Sequence, residues 1–168
     1  PEQINQLSPS LKKLNLKQSD VSGVDFSRFT QLEEITLWGT RNLTPEQITQ
    51  LPPTLKRLDL DECNVAGVDF TPFTQLEEIN LSQAPNLTPD QINQLSPTLK
   101  ILDLGWCNVG GVDFSRFTQL EGLNLRYTRN LTPAQITQLP TTLKILYLSE
   151  CYVGGVDFSR FTKLEEIN

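Results

Sequence analysis

The sequence predicts an α/β solenoid, in which short structural units stack along one axis, from three observations. The string Pro-Glu-Gln-Ile at residues 1–4 returns at 45–48 and, with one substitution each, at 89–92 and 133–136, so the chain repeats every 44 residues. Leucines with the spacing of a β-strand recur at about half that period, and the signals of a helix start recur once per period. Self-similarity at a fixed spacing indicates units that bury their apolar faces only against their neighbours.

The domain organisation follows from the same period. Three full copies, 1–44, 45–88 and 89–132, precede a truncated fourth copy, 133–168. A unit of about 22 residues is too small to build its own core, whereas 168 residues suit one domain. We therefore expect a single solenoid over residues 1–168.

Eight strand motifs of the form Leu-x-x-Leu-x-Leu, with Ile in some positions, carry a family resemblance. They are spaced alternately by 21 and 23 residues, and the last is cut off inside its strand. They begin at Leu11, Leu32, Leu55, Leu76, Leu99, Leu120, Leu143 and Leu164. The pattern resembles the leucine-rich repeat family over the whole chain. The resemblance implies a horseshoe or arc with a parallel β-sheet on its concave side and alternating short helices and turns on its convex side.

The residues support this fold independently. Leu14 and Leu16 alternate with polar Asn15, which is the period-two pattern of a strand with one buried and one solvated face. Thr44 and Pro45 read as the N-cap and first residue of a helix, with Gln47 completing a capping box. Helices are thus predicted after Thr44, Thr88 and Thr132, and a helical turn could also begin at Gln3. The segment 23–29 is too short for a regular helix and predicts a single turn capped by Asp25.

Composition excludes several function classes. Fourteen Lys and Arg against 20 Asp and Glu give a formal charge of −6, which argues against nucleic acid and anionic membranes as partners. Histidine is absent, which excludes imidazole-based catalysis and His-containing metal sites. No apolar run approaches the roughly 18 residues of a membrane span, and no targeting leader opens the chain. We expect no catalytic residue, no cofactor and no metal.

The cysteines are expected to be structural. Cys63, Cys107 and Cys151 lie one copy apart, and two strands of a sheet separate such positions by about 9.6 Å, too far for a disulfide. The resemblance implies that this motif position bonds the backbone where the strand turns away. Reduced, buried thiols favour a reducing compartment such as bacterial or host cytoplasm.

The candidate binding residues are the large side chains at outward positions that vary among the copies. Trp, Tyr and Arg are the residue types that dominate the hot spots of protein interfaces. They predict a protein-binding patch on the concave face and its rim, formed by Trp38, Trp106, Arg126, Tyr127, Tyr147 and Tyr152. Adjacent strands should bring all of these except Trp38 together. Drift of exposed positions after duplication would produce the same variability and remains an alternative.

The leading functional hypothesis is a non-enzymatic module that binds a protein partner of unknown identity. The chain opens on Pro1 and contains no Met, so it looks like a piece of something longer. It could therefore be the recognition arm of a larger enzyme or bacterial effector. The near-identity of the copies also suits a consensus-like scaffold with no natural ligand. Neither terminal unit carries a capping sequence, so end-to-end self-association is expected.

Overall fold

The computed structural model describes all 168 residues, Pro1 to Asn168. Eight strands run parallel in one sheet and pair strictly in chain order, which confirms the predicted solenoid with its parallel sheet. The strands are β1 Lys13–Asn15, β2 Glu34–Thr36, β3 Arg57–Asp59, β4 Glu78–Asn80, β5 Ile101–Asp103, β6 Gly122–Asn124, β7 Ile145–Tyr147 and β8 Glu166–Ile167.

Each strand begins two residues after the leucine that opens its motif. The carbonyl of Lys12 accepts hydrogen bonds from the amides of both Glu33 and Glu34, at 2.8 and 3.0 Å. Because one carbonyl serves two amides there, the regular ladder begins only at the next residue. The register then aligns the central apolar residues, so that Leu14 pairs with Ile35 and Ile35 with Leu58.

Helices occur where the capping signals predicted them. They are α1 Pro45–Thr49, α2 Pro89–Asn93 and α3 Pro133–Thr137, each with a complete capping box. Single 3₁₀ turns occupy Ile4–Gln6, Phe26–Arg28 and Phe114–Arg116. Asp25 caps the second of these by accepting from the Ser27 amide at 3.1 Å, as predicted. None of the helices has the length and apolar character needed to cross a membrane.

A buried glutamine fastens each α-helix to the turn of the preceding half-unit. In α2 the Gln91 Oε1 accepts from the Thr88 amide at 3.1 Å, while its Nε2 donates to the carbonyls of Val65 and Val68 at 2.7 and 2.9 Å. Gln47 and Gln135 repeat this arrangement. The sequence predicted the capping bond but not the two long-range bonds.

The core lies between the sheet and the convex elements as one cluster of 42 buried apolar residues. The leucine rows of the strands form one wall, and paired phenylalanines such as Phe70 and Phe73, with ring centroids 6.3 Å apart, fill the opposite side. Because every full unit repeats this packing, the outward side chains of the sheet are held at a regular spacing.

Two of the three thiols are buried as predicted, and all three bond the backbone. Sγ of Cys63 donates to the Leu37 carbonyl at 3.2 Å and that of Cys107 to the Leu81 carbonyl at 3.1 Å. Burial raises the pKa of both Cys63 and Cys107 to about 11. The prediction of full burial was wrong for Cys151, which is only partly buried because fewer residues of the last unit cover it.

Alkylation should therefore separate the thiols. At pH 8 we expect iodoacetamide to modify Cys151 first and to modify Cys63 and Cys107 more than about 100-fold more slowly than in denaturant, since the reactive thiolate is scarce at such a pKa. Peptide mass spectrometry over a time course measures the three rates, and a urea-denatured sample provides the control. Reaction of Cys63 in the folded chain at its denatured rate would contradict the buried hydrogen bond.

Candidate protein-binding face

The concave face is formed by four parallel rows of outward side chains. The first residue of each strand gives the row Lys13, Glu34, Arg57, Glu78, Ile101, Gly122, Ile145 and Glu166. The last residue of each strand gives Asn15, Thr36, Asp59, Asn80, Asp103, Asn124 and Tyr147. The positions just beyond give Lys17, Trp38, Asp61, Ser82, Gly105, Arg126 and Ser149, then Gln18, Gly39, Glu62, Gln83, Trp106, Tyr127 and Glu150.

The amino-terminal half of the first row is a ladder of ion pairs. Glu34 bonds Lys13 at 2.9 Å and Arg57 at 2.6 Å, and Arg57 also reaches Glu78 at 3.1 Å. A second ladder runs beside it, in which hydrogen bonds from Lys56 and Lys12 lower the pKa of Glu33 to about 2. These charges neutralise one another, and as exposed pairs they contribute mainly to register.

The middle of the face carries an acidic centre, defined here as Asp59, Asp61 and Asp103. None of the three forms an ion pair, in contrast to the glutamates of the ladders. Burial raises the pKa of Asp59, and burial together with the nearby Asp59 carboxylate raises that of Asp61 to about 6. The Oδ1 atom of Asp61 is buried without a hydrogen-bond partner.

Asp61 should consequently make the fold less stable as the pH rises. Its folded pKa of about 6 lies above the ordinary 3.8, so the folded state binds more protons and its stability falls between about pH 4 and pH 7. Asp61→Asn should raise the free energy of unfolding at pH 7.5 by no more than about 1 kcal/mol, because the residue is only partly buried and solvent screens its charge, and change little at pH 4. Thermal unfolding at both pH values measures this, with Asp90→Asn on α2 as control. An equal gain at both pH values would contradict it.

The carboxyl-terminal half of the face is apolar and aromatic. Ile101 and Ile145 are 46% and 37% exposed. Gly122 lies between them in the first row and is buried, and a Cβ at this position would stand 3.7 Å from the Ile101 side chain. Beside them Tyr147 donates its hydroxyl to Glu166 at 2.7 Å and receives the Arg126 guanidinium over its ring at 4.1 Å.

Trp106 and Tyr127 form a stacked pair at the rim of this half. Their ring centroids are 4.3 Å apart, with an interplanar angle of 13°, and the residues are 52% and 42% exposed. Both have left-handed backbone, with φ of 67° and 57°, where bulky residues are strained by about 1 to 3 kcal/mol. Gly39 fills the same row at φ 60° without that strain. The aromatic pair is therefore held against the local backbone preference.

Comparison with known proteins agrees with this architecture. Residues 95–113 match a family model described as "Leucine Rich repeat". A leucine-rich repeat protein of Leptospira interrogans superposes with a TM-score of 0.68 and 24% identity, over 84% of this chain and 38% of that one. The chain has the leucine-rich repeat fold, and residues 95–113 match the repeat of that family.

Two further solved structures share this fold. An internalin from Listeria monocytogenes has a TM-score of 0.71 and 17% identity, over 98% of this chain and 56% of that one. TLR13 in its complex with ssRNA13 has a TM-score of 0.69 and 25% identity, over 95% of this chain and 25% of that one. The chain thus spans about half of the internalin and a quarter of TLR13. No curated protein matches the sequence.

Leucine-rich repeat arrays typically serve as protein-interaction modules, with the concave sheet as an extended binding surface. In this chain the site residues predicted from the sequence fall into three places. Trp106 stacks on Tyr127, and Arg126 covers Tyr147 on the next strand. Tyr152 lies 74% exposed in the loop after β7, where its phenol packs over Gly154. We therefore place it outside the stacked cluster, contrary to the expectation that adjacent strands would bring it in.

Trp38 lies in the other half of the leucine-rich repeat sheet. It follows β2, three strands from the strand before Trp106, or about 14 Å at about 4.8 Å per strand. The Lys17 ammonium lies 3.9 Å from the centroid of its ring, and its Nε1 is buried without a hydrogen-bond partner. Ile101 and Ile145 also lie on this face and were not among the residues predicted from the sequence. The change in the first row from alternating charges to isoleucine was the available signal.

Proposed function

We propose that this chain is a non-enzymatic module that binds a protein partner through the carboxyl-terminal half of its concave face. The observation that carries the proposal is the half-exposed Trp106–Tyr127 stack next to the Arg126–Tyr147 pair. These side chains are rigidly placed by contacts with one another, so a partner would bury aromatic area at a low cost in conformational entropy. We call Ile101, Trp106, Arg126, Tyr127, Ile145 and Tyr147 the aromatic patch.

Exposure of apolar side chains supports this location. Seven large hydrophobic residues are exposed in the whole chain, and four of them, Ile101, Trp106, Tyr127 and Ile145, belong to the aromatic patch. The sheet places them on three consecutive strands and the turns that follow, so their exposed areas adjoin. Contiguous exposed apolar surface rimmed by polar groups marks interaction sites in proteins.

The same face disfavours nucleic acid as the partner. Binding of a polyanion draws its affinity from lysines and arginines that neutralise phosphates. Here the lysines and arginines of the first row are paired with glutamates, and the acidic centre repels phosphate. We accordingly propose a protein partner, with no cofactor and no membrane surface involved.

Two alternatives remain beside this proposal. The chain spans 56% of the internalin that it resembles, so it could act as the recognition arm of a longer enzyme or effector. A consensus-like scaffold without a ligand is the other. Affinity capture from a cell lysate, with the wild-type chain and the Trp106→Ala, Tyr127→Ala double variant side by side, tests the proposal. A protein retained only by the wild type supports it, and a protein retained equally by both moves the binding surface elsewhere.

We further propose that this chain self-associates end to end. Strands β1 and β8 are the two edges of the sheet, and Ile167 at the second edge is 48% exposed. Unpaired edge strands are templates for pairing with another chain. Sedimentation velocity from about 10 µM to about 1 mM should show concentration-dependent association that Ile167→Lys suppresses. A monomer over that whole range would contradict this prediction.

A further inference from the structure

We propose that the partner docks through an extended segment that carries a Lys or Arg two or three residues from a large apolar side chain. The basic group would lie over the acidic centre and the apolar group against the exposed side chains of Ile101 and Ile145. This inference rests on the proposed function and specifies the chemistry of its partner.

The charge distribution of the concave face argues for a cation. The glutamates of the two ladders are satisfied within the chain, at distances of 2.6 to 3.1 Å from Lys or Arg nitrogens. The carboxylates of Asp59, Asp61 and Asp103 have no such counterion. Asp59 ends β3 and Asp61 follows it, while Asp103 ends β5, two strands away. A neutral partner surface would remove the water that solvates these carboxylates and would supply no group to replace it. The desolvation of an unpaired charge is costly in free energy. A partner that supplies a cation removes that cost and gains charge complementarity.

Two carboxylates of the acidic centre, Asp59 and Asp103, share one groove with Ile101. A shallow groove of about 360 Å³ is lined by Asp59, Asp103 and Ile101 together with Arg57, Glu78 and Asn80. Asp103 and Ile101 belong to the same strand, two residues apart. A partner in this groove therefore meets carboxylate and isoleucine at once.

The spacing of these features sets the spacing on the partner. Side chains two residues apart on one strand are separated by about 7 Å, and equivalent positions two strands apart by about 10 Å. An extended chain advances about 3.3 Å per residue, so two or three residues of the partner cover these distances. Ile145 lies two strands beyond Ile101 and extends the apolar contact in the direction of Tyr147.

The test is selection of a 12-residue peptide library displayed on phage, panned on the intact chain. Enriched peptides are expected to carry Lys or Arg two or three residues from Leu, Ile, Phe or Trp. A synthetic copy of an enriched peptide should lose at least about 10-fold in affinity on the Asp59→Asn, Asp61→Asn, Asp103→Asn variant and on the Ile101→Ser, Ile145→Ser variant. Affinity should also fall with added salt on the wild type.

A matched control removes three carboxylates from the convex side, as Glu2→Gln, Glu46→Gln, Asp90→Asn. It should retain the wild-type affinity, because it alters net charge equally without touching the groove. The Asp103 side chain accepts hydrogen bonds from the Gly105 amide and from Asn124, so the triple variant could lose structure. The single variant Asp61→Asn, whose Oδ1 has no partner to lose, then provides the measurement and should weaken binding at least about 3-fold.

The remaining outcomes separate this inference from the proposed function. Some enriched peptides could require Ile101 and Ile145 for binding but contain no Lys or Arg. That result would overturn the inferred basic residue of the partner and would still support binding at the concave face. Peptides that bind the wild type and both concave variants equally overturn the chemistry and the proposed face together. If no peptide is enriched, the inference that the partner binds through a linear segment is overturned. Capture of a folded protein would still test whether the concave face binds a partner.

Discussion

Gln91→Glu should destabilise the fold by about 3 kcal/mol or more at pH 7, since it places a carboxylate against two backbone carbonyls. The native Nε2 donates to Val65 and Val68 from a residue that is only 6% exposed. A glutamate there would lose both donors and bury a charge that faces oxygen atoms. Chemical denaturation at pH 7 measures the loss.

Acidification should partly rescue the same variant. Burial beside carbonyl oxygens would raise the pKa of the introduced carboxyl above its ordinary value, so the folded state would bind more protons than the unfolded state. The deficit is therefore largest at high pH and shrinks as the pH falls towards about 4, where the protonated acid can donate to one carbonyl. Gln75→Glu, at an exposed turn, is the control and should be nearly neutral. A deficit independent of pH would mean that the amide contributes packing alone.

Repetition explains how much of the fold could be predicted. Each strand motif occurs eight times, so the leucine spacing fixes one register for the whole sheet. The helix starts are equally well determined, because Thr44, Pro45 and Gln47 act through bonds within one turn. The second role of the glutamines could not be predicted in this way. It joins Gln91 to carbonyls 26 and 23 residues earlier, and their positions depend on the path of the turn.

The candidate site was predicted less completely, for two physical reasons. Trp106 and Tyr127 stack because each occupies a position with left-handed backbone in the turn after its strand. Bulky residues rarely adopt this conformation, so their presence in the sequence does not predict it. Tyr152 stands where Asn108, one copy earlier, accepts a hydrogen bond from the Gly110 amide at 3.1 Å. A tyrosine cannot make that local bond, so the position of its ring follows from the loop and not from the repeat.

Trp106→Ala and Tyr127→Ala should each weaken binding of a captured partner by about 2 kcal/mol or more, roughly 30-fold in Kd. Each substitution removes a rigid aromatic anchor and also frees the ring that stacked on it. Their effects should be less than additive, because either one already breaks the 4.3 Å stack. Titration calorimetry with the two single variants and the double variant measures the coupling.

A loss of binding is informative only if the fold remains intact. Both residues are about half exposed, so loss of the stack should cost no more than about 0.5 to 1.5 kcal/mol of stability. Trp106→Gly sharpens the separation, because glycine relieves the strain at φ 67° while it removes the whole side chain. The Trp106→Gly variant should bind the partner as weakly as Trp106→Ala does, and it should unfold at a higher temperature than Trp106→Ala. Gln18→Ala, in the same left-handed row but four strands from Trp106, is the control and should leave affinity unchanged. If Gln18→Ala and Trp106→Ala weakened binding equally, the left-handed row as a whole would be the determinant of binding and the aromatic patch would not.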